Sequence, residues 1–100
     1  MGSLREKLEG KKVIVRGILF TIHFDDMLVA IEGAYGRVNY VAQTITLEGH
    51  LEDQVIMAYL WHEIVEIIDH QEELNLKHHK IQTLGFALRQ IVQDNREILI

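Results

Sequence analysis

The hydrophobic period of the chain changes once, near Leu51. Before that point apolar residues alternate with polar ones, and after it they recur every three or four residues. A period of 2 suits a half-buried strand, and a period near 3.6 suits a helix with one apolar face. A chain that carries the two patterns in succession has to lay helices on a sheet.

Within the first half, residues 13–15 and 18–24 are rich in β-branched and aromatic side chains, with Arg16-Gly17 between them. That pattern predicts either a hairpin or one bulged strand. Ile18, Phe20, Ile22 and Phe24 form an apolar face, while Leu19, Thr21 and His23 form a mixed one. Residues 37–41 and 44–48 flank Ala42-Gln43 and predict a second hairpin, with Val38, Tyr40, Ile45 and Leu47 inward and Gly49 at its end. Residues 25–34 show no clear period. Ser3 and Glu6 have the spacing of a capping box, so a short helix is expected over residues 4–9, closed by Gly10.

In the second half a helix is expected over residues 51–72, with Val55, Ile56, Leu60, Ile64, Ile67 and Ile68 on its inner side. Another is expected over residues 78–97, with Ile81, Leu84, Leu88, Ile91 and Val92 inward. The chain has 100 residues, room for one domain. The expected class is therefore α+β over residues 1–100: a short N-terminal helix, a small antiparallel sheet, then two long C-terminal helices.

Fifteen acidic residues stand against ten basic ones, for a net charge of −5, and no basic stripe is present, so no nucleic-acid partner is expected. No apolar run approaches the roughly 20 residues that span a bilayer, so no membrane association is expected. The chain has no cysteine, which excludes disulfides, thiolate metal sites and cysteine nucleophiles. With no apolar leader visible, a cytoplasmic, reducing location is expected.

The chemistry concentrates in Trp61-His62-Glu63-Ile64-Val65-Glu66. At about 100° per residue, Glu66 falls about 40° from His62, on the same helix face, and Glu63 falls about 100° away, at its edge. Asp69, His70 and Glu73 continue that face. Two ligands at i and i+4 can hold one Zn²⁺, and a Glu after the first can take a proton from its water. The usual string ends in His where this chain has Glu66, and a solvated polar face is the simpler alternative for any such string. His23, His50, His70 and the pair Asp25-Asp26 are expected to meet solvent or lie in turns. Trp61 and Phe86 are expected in the core.

The next helix opens Asn75-Leu76-Lys77-His78-His79-Lys80-Ile81 and closes Leu88-Arg89-Gln90-Ile91-Val92-Gln93-Asp94-Asn95. With the hairpin strings Gly36-Arg37-Val38-Asn39-Tyr40 and Thr44-Ile45-Thr46-Leu47, these segments resemble the small zincin-like, metallopeptidase-related proteins of bacteriophages and prophages. The resemblance covers residues 12–96 and is best from Leu60 to Asn95. Members with Glu at the fifth motif position are familiar in that group.

The resemblance implies a minimal zincin-like fold that hydrolyses peptide bonds with zinc. Glu63 would be the general base, and His62, Glu66 and His78 the metal ligands. The linker of residues 73–77 reaches at most about 17 Å, and the first helix ends about 9 Å beyond Glu66. Only a tight return therefore brings His78 to the ion, so His78, His79 or neither remain as third ligands. A peptide or protein substrate would pair with the edge of strand 44–48. The alternative is a non-catalytic zincin-like interaction module of phage or mobile-element origin. Leu74, Leu76, Leu99 and Ile100 are candidate contacts for a homodimer.

Overall fold

A computed structural model describes residues 3–99. The order is α1 (Leu4–Leu8), β1 (Lys12–Val15), β2 (Ile18–Asp25), α2 (Leu28–Glu32), β3 (Gly36–Asn39), β4 (Thr44–Glu48), α3 (Asp53–Glu72), α4 (His78–Asp94) and α5 (Arg96–Leu99). The α+β class and the order of its parts are those expected. Ser3 caps α1, its hydroxyl accepting from the Glu6 N–H at 3.2 Å. Of the two readings of residues 13–24, the hairpin holds. Arg16 and Gly17 take φ of 50° and 89°, the doubly left-handed turn that matches strand twist.

The sheet is mixed rather than antiparallel. Each hairpin is antiparallel, but β2 pairs with β4 in parallel, in the strand order β1-β2-β4-β3. Parallel neighbours need a crossover of a dozen or more residues, and residues 26–43 supply it. The aperiodic stretch contains α2, a short helix anchored by the fully buried Leu28 and ended at Gly33 with φ 69°. This topology makes β4 an interior strand and leaves β1 and β3 as the edges. Residues 44–48 therefore present no free edge to a substrate.

Phe20, Ile22, Val15, Ile45 and Leu47 from the sheet pack against Ile56, Leu60 and Ile67 of α3. Full burial of each such side chain contributes about 1.5–3 kcal/mol. Ile64 and Ile68 are only partly buried, because α4 covers another side of α3.

The seam of α4 differs from the expected one. Ile81 and Gly85 are buried, whereas Leu84 and Ile91 are 45% and 50% exposed. The physical reason is Gly85. A Cβ there would lie 2.7 Å from the His62 Cα, so only glycine lets the two backbones approach this closely. That contact turns Leu84 and Ile91 outward.

Among the described residues no helix is long and apolar enough to cross a membrane. Leu74 and Leu99 are about half exposed, Leu76 is partly buried, and Ile100 lies outside the described residues.

Candidate metal centre

The middle of α3 lies between the sheet and α4, so its polar face is not simply solvated. His62 is 5% exposed and Glu63 only 2%, while Glu66 is half-buried. His78 is the first residue of α4 and remains exposed. The chain returns to it through two left-handed residues, Glu73 (φ 52°) and Asn75 (φ 57°). Asp69 holds that return: its backbone carbonyl accepts from the Glu73 and Leu74 N–H groups, and its carboxylate from the Leu76 N–H at 2.8 Å. The tight turn that a ligand role for His78 requires is thus built from local hydrogen bonds.

The fold brings His62, Glu66 and His78 together. One ligand atom from each lies within 4.8 Å of the others, close enough to hold a metal ion. The rings of His62 and His78 are 5.0 Å apart between centroids and inclined at 57°. Donors about 2.1 Å from a tetrahedral zinc lie about 3.4 Å from one another, so the group would close slightly on an ion. The His62 Nδ1 is buried and has no hydrogen-bond partner. Such an orphaned atom calls for a ligand or a proton acceptor. Two imidazoles and a carboxylate form a donor set that suits zinc. His79 does not belong to this group; its carbonyl accepts from the Thr83 hydroxyl.

Burial pushes the His62 pKa down, with the neighbouring His78 in the same direction and Glu66 opposing. A neutral imidazole, the ligating form, is thereby favoured. Burial also pushes the Glu63 carboxyl up to about 8, helped by the charge of Glu66 and a hydrogen bond to it. The Glu63 Oε2 lies 3.8 Å from the His62 Nε2, and its Oε1 has no partner.

Several contributors were not legible beforehand. Gly36 of β3 lies against Glu63, where a Cβ would be 2.8 Å from Oε2. Tyr40 stacks on His70 with centroids 3.8 Å apart and planes 17° apart. Burial, followed by Glu66, Glu63 and Asp69, raises the Tyr40 phenol to about 12. The sequence showed Tyr40 only as an alternating strand residue and His70 only as part of a polar face.

Two concavities flank the ligands and share Gly36. The wider, of about 870 Å³, runs between β3 and the later part of α3, with Tyr40, Glu66, Asp69 and Glu73 in its wall. The narrower, of about 380 Å³, contains Tyr35, Tyr59, His62, Glu63 and His78.

The remaining candidates lie elsewhere. The His23 Nδ1 meets the Glu9 Oε2 at 2.8 Å on the surface, and Asp26 pairs with Arg5. The Asp25 carboxylate accepts from the Met27 N–H, and the His50 N–H donates to Glu48. Phe86 meets Tyr59 edge-on, and Trp61 lines a separate cavity with Met57 and Arg89.

No family model, no curated protein and no solved structure matches the chain, so its chemistry is read from this geometry.

Proposed function

We propose that the protein is a zinc-dependent peptidase of minimal zincin-like type, with His62, Glu66 and His78 as ligands and Glu63 as general base. The observation that carries the reading is the convergence of those three donors beside a buried carboxyl with a free oxygen. When bound, zinc would polarise the scissile carbonyl and lower the pKa of its water to about 7.

The chain's own residues do the rest. Glu63 would take a proton from the water and pass it to the leaving amine nitrogen. Burial of Glu63 and His62 keeps bulk water away from that proton. β3 offers an edge along which an extended peptide can pair, with Gly36 keeping the backbone clear of the Glu63 carboxylate.

One observation favours a second reading, a zincin-like interaction module without catalysis, of the phage or mobile-element kind that the sequence resembles. Burial raises the Glu63 carboxyl to about 8 in the metal-free protein, and a carboxyl that stays protonated once the site is filled is no base. The two readings separate on peptide cleavage by wild type and Glu63→Gln at equal zinc occupancy. A peptidase loses nearly all turnover and keeps its zinc. Zinc binding with no wild-type cleavage leaves the interaction module.

A further inference from the structure

We propose that the cavity of about 380 Å³ beside His62 and His78 receives a large uncharged side chain, aromatic above all, from a peptide held along β3. The inference rests on the peptidase reading for the ligand being a peptide.

The pocket is a built site. His62 and Glu63 are both more than nine-tenths buried in its wall, and each leaves one polar atom without a partner. Aromatic rings form another part of that wall. Tyr35 and Tyr59 lie 5.0 Å apart at 31°, and Phe86 braces Tyr59 edge-on at 5.7 Å and 89°. Tyr35 is nonetheless 48% exposed, a large ring left in water at the mouth of the cavity. A further ring fits such a wall, since aromatic pairs favour tilted or edge contacts at about 4.5–7 Å.

Charge selects in the same direction. No lysine or arginine lines the pocket and the Glu63 carboxyl stands in its wall, so in the metal-free protein an acidic side chain is not favoured there. A basic one is drawn to the neighbouring cleft, where Glu66, Asp69 and Glu73 stand. Gly36 belongs to both concavities and to the edge strand, so a peptide paired with β3 passes both. Side chains alternate along such a peptide, which lets one point into the pocket.

The test is an NMR titration of the full chain, metal-free and zinc-loaded, with blocked Ala-X-Ala tripeptides in which X is Phe, Leu, Gly, Asp or Lys. The Phe and Leu peptides should shift the Tyr35 and Tyr59 ring signals and bind about tenfold tighter than the Gly peptide. In the metal-free protein Asp and Lys should give no gain over Gly; in the zinc-loaded protein the ion itself attracts the Asp carboxylate. Tyr35→Ala should close the gap between Phe and Gly, and Tyr35→Phe should retain it. In the metal-free protein, equal affinities, absent ring shifts, or tighter binding of the Asp or Lys peptide overturn the pocket. A parallel zinc titration judges the metal reading separately. Ring shifts without zinc binding uphold the pocket and break the peptidase reading, whereas zinc binding without ring shifts breaks the pocket alone.

Discussion

Glu48, at the end of β4, and Glu63, in the middle of α3, are the two acidic side chains that the fold takes out of water among the described residues. Their surroundings are opposite. The two oxygens of Glu48 accept from the Val29 and His50 N–H groups, each at 2.9 Å, and these bonds hold its pKa below the usual carboxylate range. Glu63 has an oxygen with no partner and a like charge one helical turn away, and its pKa is raised. Burial alone therefore does not decide the state of a carboxyl group; the donors supplied to it do. Glu48 fastens α2 and the β4–α3 connection to the sheet. Glu63 is left with unspent hydrogen-bonding capacity, as a proton-transfer group requires.

The largest expected effect falls on the Glu63 side. Glu63→Gln should reduce peptide turnover by about 10²–10⁴-fold, with zinc affinity retained. Turnover within about twofold of wild type would remove Glu63 from the chemistry.

His62→Ala and Glu66→Ala should each abolish tight zinc binding while the fold persists, because neither belongs to the apolar core cluster. Isothermal titration that finds unchanged affinity in both variants sinks the metal centre. Glu48→Gln supplies the contrast. It should lower the melting temperature and leave zinc affinity unchanged, since its partners are the backbone of α2 and of the turn at His50.

Gly85→Ala should cost about 1–3 kcal/mol by overpacking and weaken zinc binding as well, because the new methyl pushes α4 and His78 away from His62. Loss of stability with undiminished zinc affinity would show that α4 shifts without moving His78.

The two carboxyls also part in the pH dependence of the metal-free protein. Glu48 has a lowered folded pKa, so its contribution is present above the ordinary value of 4.5 and is lost as pH falls through the lowered value. Glu63 has a folded pKa raised to about 8 against 4.5, so the unfolded chain gives up this proton first. Its burial therefore costs stability progressively as pH rises from 4.5 towards 8. Thermal melts should show an acid loss missing in Glu48→Gln and a loss between pH 4.5 and 8 missing in Glu63→Gln. A loss between pH 4.5 and 8 that survives Glu63→Gln would place its origin elsewhere.

Much of this was legible from residue patterns. The change of period at Leu51 separates sheet from helices, the Ser3–Glu6 pair marks α1, and His62 and Glu66 share a helix face by spacing alone. Less legible was the inner side of α4, where a wheel of apolar residues puts Leu84 and Ile91 inward but a single glycine at position 85 sets the seam. A glycine contributes nothing to a hydrophobic pattern, so the residue that governs the helix contact is silent in it. Glu48 was silent for a similar reason, as a polar residue ending a strand looks solvated until backbone donors converge on it.

The sequence by itself determined α1, the two hairpins, the two long helices and the i, i+4 placement of His62 and Glu66, because backbone geometry turns spacing directly into direction. Tertiary structure alone decided the parallel pairing of β2 with β4, the open edge at β3, the burial of Glu63 and the arrival of His78 beside the other two donors. Those features join residues far apart along the chain. They are set by how the sheet, the crossover and the two long helices share one core, and no periodicity within a single element encodes that.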